Sequence, residues 1–186
     1  MIDARRVTSP LEGVPFKGWN AQAPIPAPLA LHSCVVRPEW TDYNGHMSES
    51  SYLLVFGDSS DAFFRYFGID EAYRAGGFSL YTLDTRIRYF AEVSAGEPLR
   101  LTLQLLDLDA KRLHILHRML HGGTGAELAA AEQVLAHVDV QAGRSAPLPA
   151  DLHARLEAIR AAHAGLPLHP MIDAPLGIGA AQRGAP

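Results

Sequence analysis

The sequence predicts an α+β domain, an antiparallel sheet with one long helix set against it. Three observations carry that prediction. Residues 47–67 read as one long helix rich in aromatic and aliphatic side chains. Four segments that read as strands then follow one another, with turn signals between them. The chain shows no internal repeat and no alternation of strands with helices, so a parallel sheet is not expected.

In chain order, residues 1–30 hold Pro10, Pro15, Pro24, Pro26 and Pro28. Proline at this density argues against helix and against a central strand. An extended arm is expected there, anchored by Phe16 and Trp19, or else a disordered leader. Residues 31–37, LHSCVVR, read as a first strand ended by Pro38. The helix of residues 47–67 stops at Gly68, and Ser48 is a candidate cap. Tyr52, Val55, Phe56, Phe63, Tyr66 and Phe67 put apolar bulk on more than one side, as in a helix wrapped by other elements. Gly57-Asp58-Ser59-Ser60 interrupts it, which fits either a kink or close packing, or a site where Asp58 or Asp61 faces a pocket.

After Gly76-Gly77, residues Tyr81, Leu83, Thr85, Ile87 and Tyr89 alternate with Thr82, Asp84, Arg86, Arg88 and Phe90, predicting a strand with one apolar face. Leu99, Leu101, Leu103 and Leu105 give a cleaner one. KRLHILHRML, after a short turn at residues 107–110, fits either period, and the hairpin spacing favours strand. Gly122-Gly123-Thr124-Gly125 is a turn. ELAAAEQVLAHVDV starts helix-prone but ends with Val134, Ala136, Val138 and Val140 at every second position, so strand is expected. Pro147 and Pro149 close it. A short amphipathic helix follows, and a loose or partner-clasping tail from Gly165. The expected organisation is an arm (1–30), a core domain (31–147), a C-terminal helix (148–164) and a flexible tail (165–186).

Composition narrows the function. Hydrophobic residues make up 48% of the 186 and charged residues 19%, enough for a core without disulfides. The single cysteine, Cys34, excludes an intrachain disulfide and fits a reducing compartment. A net charge of −4 gives no nucleic-acid footprint. MIDARRVTSP lacks a signal-peptide core and no apolar run reaches spanning length, so a cytoplasmic protein with no membrane partner is expected.

The chemistry concentrates in Trp40-Thr41-Asp42-Tyr43-Asn44-Gly45-His46-Met47, at the mouth of the long helix. Unpaired N–H groups at a helix start carry partial positive charge and hold an oxygen that becomes negative. A carboxylate beside them activates water or attacks a carbonyl, which is acyl-transfer geometry in outline. The same residues also fit an ordinary Asn-Gly turn with Asp42 as its local cap. His46 fits a base, a structural wall, or a backbone N–H donor. Glu49, one turn into the helix, faces either the same cavity as Asp42 or solvent. Lys111 and Arg112, beside a turn, suit phosphates, or form a solvated surface pair. His114, His117 and His121 do not share a strand face, and no metal is expected. Neither a nucleotide-type phosphate loop nor a Gly-x-Ser-x-Gly elbow is present, and no cofactor is expected.

Asp42-Tyr43-Asn44-Gly45-His46-Met47, with Tyr52 following, resembles the Asp-x-x-Gly-His-(Val/Met)-x-Asn-x-x-Tyr pattern of the 4-hydroxybenzoyl-CoA thioesterase-like family of hotdog-fold acyl-CoA thioesterases. The longer string, with Phe56-Gly57-Asp58 and Ala110-Lys111-Arg112-Leu113-His114, is most similar to the betainyl-CoA thioesterases of carnitine breakdown, which occur alone or fused behind carnitine dehydrogenase. The resemblance spans residues 31–141. It implies that Asp42 is the catalytic carboxylate and that N–H groups around Gly45 and His46 polarise the thioester carbonyl. It also implies a homodimer or larger assembly, a tetramer included, with sites between subunits. Lys111 and Arg112 become candidates for the coenzyme A phosphates. For a trimethylammonium acyl group, Trp40, Tyr43, Tyr52 and Tyr81 are candidate aromatic faces, with Asn44 in the same loop, and Glu49, Asp58 or Asp61 a candidate charge. Ser48 stands where the family usually has Asn. The rivals are a thioesterase for another short or aromatic acyl-CoA and a non-catalytic hotdog module that binds acyl-CoA.

Overall fold

A computed structural model describes residues 9–172 and 174. Strand β1 (Leu29–Val35) leads through a short 3-10 turn (Pro38–Trp40) and a loop to helix α1 (Glu49–Phe67) and the short helix α2 (Glu71–Ala75). Strands β2 (Phe78–Tyr89), β3 (Pro98–Leu108), β4 (Arg112–His121) and β5 (Glu127–Asp139) follow, then a two-residue β6 (Arg144–Ser145) and helix α3 (Ala150–His163). The strands pair antiparallel in the order β1-β3-β4-β5-β2, with β6 on β5. This is the hotdog arrangement, a curled sheet around one central helix. Among the described residues, no helix is long and apolar enough to cross a membrane.

Alternation decides which side faces α1. Leu99, Leu101, Leu103 and Leu105 point inward, and so do Leu113, Ile115, His117 and Met119 of β4. They form two clusters. One, at the far end of α1, joins Phe63 and Phe67 to Leu103, Ile115 and to Leu152, Leu156 and Ile159 of α3. The other, at the near end, joins Tyr52, Val55 and Phe56 to Trp40, Met47, Val93 and Leu101. Each fully buried phenylalanine contributes about 2–3 kcal/mol relative to an exposed one. The motif loop is thus clamped at its two ends, Trp40 and Met47, by the same cluster that seats the helix start.

Helix α1 ends at Gly68, whose φ of +120° disfavours any side chain. A Cβ there would also meet Arg155 Nη1 at 2.7 Å and Leu152 at 3.1 Å. The expected interruption at Gly57–Ser60 does not occur; the helix is continuous, and a Cβ at Gly57 would meet nothing within 4 Å. Ser59 and Ser60 are buried instead. Ser60 Oγ donates to the Phe56 carbonyl at 3.1 Å and pairs with His117 Nε2 at 3.0 Å. Gln133, 3.3 Å from that hydroxyl, passes the polar seam on to Thr85 through its amide, 3.2 Å away.

The fully buried His117 predicts an acid sensitivity. Burial pushes its pKa down from 6.5 to about 3, and its Nδ1 has no partner. Below pH 6.5 the unfolded chain binds a proton that the folded chain refuses, so its contribution is complete above 6.5 and is lost as pH falls toward about 3. The expected loss is ~1.4 kcal/mol per pH unit. Asp58 acts in the opposite direction, since burial raises its carboxyl to about 6. Urea unfolding of the protein and of His117→Gln, compared over the same pH range, isolates the histidine. The variant's stability should fall less steeply with acid, and parallel curves would contradict this.

Two expectations about faces need correction. Residues Tyr81 to Tyr89 do not keep one apolar face inward, because a β-bulge at Leu83 shifts the phase: Thr82 pairs with Leu135 and Asp84 with Val134. Leu80 and Ile87 pack inward, while Tyr81, Leu83 and Tyr89 are about half exposed. The tail expected to be loose from Gly165 is packed as far as residue 172, with Met171 only 1% exposed against Leu116 and Ala130. The expectation for residues 175–186 lies outside the described residues. In the arm, Trp19 meets Tyr66 edge-on at 5.9 Å, and Phe16, like Trp19, is partly buried. Helix α2 was not foreseen, although Asp70, which caps Tyr73 N–H at 2.9 Å, and Gly76 bracket it in the sequence.

Candidate active site

The loop between the 3-10 turn and α1 is stitched by its own backbone. Asp42 N–H donates to the His46 carbonyl at 2.9 Å, and Gly45 N–H to the Asp42 carbonyl at 3.0 Å. Gly45 has φ +80°, with open space around a built Cβ, so the need for glycine there is conformational. Met47 N–H reaches the Val93 carbonyl at 2.8 Å, and Ser48 N–H the Trp40 carbonyl at 2.9 Å. The five residues from Asp42 to His46 therefore sit as a rigid knuckle between β1 and the β2–β3 connection.

Asp42 is exposed, and Asn44 N–H donates to its Oδ1 at 2.8 Å. Its Oδ2 has no hydrogen-bond partner among the described residues. Beside it, Ser48 begins α1 without capping it: its hydroxyl pairs with Ser51 Oγ at 2.9 Å and Ser50 Oγ at 3.2 Å. The N–H groups of Ser51 and Tyr52 turn to the Ser48 carbonyl. Those of His46, Glu49 and Ser50 have no partner among the described residues. A carboxylate with an open oxygen thus stands by a helix mouth whose first donors are uncapped. The expectation for Gly45 as a donor is corrected, because its N–H is consumed by the turn.

The remaining expected residues divide. Trp40 is buried, and the Arg37 guanidinium lies 5.0 Å from its ring centroid, so one ring face already carries a cation. Tyr43 is 97% exposed on the knuckle, next to Asn44. His46 Nδ1 lies 3.3 Å from Glu92. The Glu49 side chain is exposed, and its carbonyl takes the Tyr89 hydroxyl at 3.3 Å. Tyr52 is buried, edge-on to Tyr89 at 5.2 Å, with its hydroxyl on the Ala91 carbonyl; burial pushes its pKa up to about 12, which leaves it no role as a base. Asp58 lies nine residues beyond Glu49, ~13 Å along the helix. Asp61 is spent elsewhere: Arg65 Nε at 2.9 Å, Arg74 Nη1 at 3.2 Å and the Ser9 hydroxyl hold it in an ion cluster under the arm.

Tyr81, Lys111 and Arg112 are not at this site within one chain. Tyr81 lies eight residues before Tyr89, ~26 Å away along an extended strand. It lines a cavity of about 770 Å³ with Leu83, Lys111, Arg112 and Arg144 at the other end of the sheet. Arg112 is tied there to Asp109, at 2.6 Å and 2.8 Å. Among the described residues no group of His, Cys, Asp and Glu is disposed to hold a metal.

Sequence reasoning missed Val93 and Ala91, which hold Met47 and Tyr52 from some forty residues away and carry no local signal. It also missed Arg37, which was within reach as a cation three residues before Trp40.

Comparisons with known proteins identify the family. The model of the Thioesterase-like superfamily matches residues 36–156. A Rhizobium meliloti L-carnitine dehydrogenase/betainyl-CoA thioesterase is 44% identical over 90% of this chain, which spans 32% of that relative's length. A Pseudomonas aeruginosa betainyl-CoA thioesterase is 43% identical over 75% of this chain and 89% of its own. The crystal structure of a candidate thioesterase from Pseudomonas putida KT2440 superposes with a TM-score of 0.72 and 31% identity, covering 81% of this chain and 97% of that one.

Proposed function

The chain belongs to the Thioesterase-like superfamily, and from that premise we propose that it hydrolyses the thioester of a short acyl-CoA, with betainyl-CoA the first candidate. The observation that carries the reading is the open Oδ2 of Asp42 beside the uncapped start of α1. The thioester carbonyl oxygen lies against the N–H groups of His46, Glu49 and Ser50, which meet the negative charge as the carbonyl carbon becomes tetrahedral. Asp42 either takes a proton from the attacking water or attacks the carbonyl itself, forming an anhydride that water then opens. In both routes the C–S bond breaks, coenzyme A leaves as its thiol, and the acid is released. Ser48, in place of the family's usual Asn, contributes by leaving the Ser50 N–H uncapped.

For a trimethylammonium head, Tyr43, Tyr89, Glu49 and Glu92 offer aromatic and acidic surface at the helix mouth. Arg37 makes Trp40 a poor choice. The test is thiol release from betainyl-, acetyl- and benzoyl-CoA, with choline as a competitor. Preference for betainyl-CoA together with choline inhibition supports the reading. Preference for a neutral acyl group without choline inhibition leaves a thioesterase of different specificity.

The active form in this reading is a homodimer. β2 ends the sheet, and Tyr81, Leu83 and Tyr89 lie half exposed on it. Antiparallel pairing of two β2 strands brings the end bearing Tyr81, Lys111 and Arg112 of a second copy toward the knuckle of the first. That arrangement supplies the coenzyme A phosphates with the cations that one chain keeps ~26 Å away. Leu83→Asp should yield a folded monomer with at least about tenfold lower kcat/KM. Light scattering and circular dichroism check this, and a variant that stays dimeric and fully active contradicts the β2 interface.

A further inference from the structure

After α3 the chain crosses to the sheet face opposite α1. Thr102 and Gln104 alternate with the inward Leu101, Leu103 and Leu105, so they belong to that outer face. Residues 166–171 run over it, and a cavity of about 860 Å³ lies between this strap and the strands. That is within the range of small-molecule sites. Phe90, Leu116 and Met171 supply an apolar floor and roof.

The polar groups around it fall into two sets. Arg118, Glu127 and His169 satisfy one another: Arg118 Nε donates to Glu127 Oε1 at 2.6 Å, and His169 Nε2 lies 3.2 Å from Oε2. Burial works against the Glu127 charge, but these two partners outweigh it and hold the carboxyl down at about 2. Arg88 is different. Arg88 lines the cavity with no hydrogen bond or ion pair among the described residues, and the side chains of Thr102 and Gln104 are likewise unspent. The planar fork of a guanidinium matches a carboxylate through two parallel bonds.

We propose that this outer-face cavity is a second ligand site, separate from the Asp42 site, for an amphipathic carboxylate. The carboxylate pairs with Arg88, with Gln104 and Thr102 beside it, and the apolar body lies on Leu116, Phe90 and Met171. A neutral ligand of the same shape leaves Arg88 unanswered, and a cation is repelled by it.

Titration calorimetry of the full chain with octanoate, 1-octanol and octylamine tests the assignment. Octanoate is expected to bind, with octanol and octylamine at least about tenfold weaker. Arg88→Met should weaken octanoate at least about tenfold, and Gln104→Leu, at a partly buried position, by a smaller factor. Asp42→Asn should leave its affinity within about twofold, because the probe is not in the catalytic site. Circular dichroism of each variant ensures that folded proteins are compared. Four results overturn the proposal: no octanoate binding at millimolar concentration, unchanged affinity in both outer-face variants, equal binding of octylamine, or tighter binding in Asp42→Asn.

Discussion

Asp42→Asn is expected to lower kcat for thiol release by about three orders of magnitude, or ~4 kcal/mol of transition-state stabilisation. KM should change by less than about threefold, since the carboxylate acts on the reacting atoms and not on the coenzyme A handle. The substitution is conservative where the fold is concerned. An amide oxygen can accept the Asn44 N–H as Oδ1 does now, and the backbone bonds of Asp42 to His46 and Gly45 do not involve the side chain. What is lost is the charge, which both routes require: a neutral amide neither takes the water proton nor attacks the carbonyl. Thiol release on a spectrophotometer, with acyl-CoA binding measured in parallel, separates the outcomes. If both proteins bind acyl-CoA and neither releases thiol, the domain is an acyl-CoA-binding module. If the variant keeps full turnover, the base is another group and the open helix mouth acts without Asp42.

The parts of this site that were legible in the sequence are local. A glycine in a positive-φ turn, a carboxylate two residues before an N–H that reaches it, and a helix starting just beyond all lie within eight residues. β2, β3 and the end of β5 followed from period-two alternation, which reports burial on one face, whereas β4, whose period is ambiguous, followed from the hairpin spacing. Three kinds of fact were not legible. The bulge at Leu83 inverts the face of Tyr81, and alternation alone cannot place an extra residue. The clamps at Ala91 and Val93 are backbone carbonyls, so no side chain announces them. The third is distance: Tyr81, Lys111 and Arg112 were grouped with Asp42 by chemistry, yet β2 and the β3–β4 turn place them at the far end of the sheet. Chemical kinship selects residue types, and only topology decides whether one chain or two must supply them.

The arm shows how stability and site are joined through charges that the reaction does not use. Arg65, with its side chain 3% exposed, donates to Asp61 at 2.9 Å, to Glu71 at 2.6 Å and to Glu12 at 3.3 Å. Arg74 meets Glu12 at 2.8 Å and Asp61 at 3.2 Å, and Gly13 N–H reaches Glu71 at 3.0 Å. Among the described residues two cations thus hold three carboxylates, and the arm is fastened to α1 and α2 by them. Such a cluster contributes little relative to a well-packed apolar substitute, because desolvation offsets most of the attraction. Removing one member is a different matter. Arg65→Met leaves Asp61 buried with Arg74 as its remaining cation among the described residues, and takes from Glu71 the guanidinium it pairs with. The expected cost is about 3–5 kcal/mol, equivalent to a Tm lower by roughly 6–15 °C for a chain of this size. Urea unfolding reads the loss, and limited proteolysis should then cut between residues 9 and 28 before the core opens. Asp61→Asn in the Arg65→Met background should recover part of the stability, since it removes the carboxylate left short of a partner. A double variant no more stable than Arg65→Met would mean that the guanidinium acts through packing of its stem, with the charges incidental.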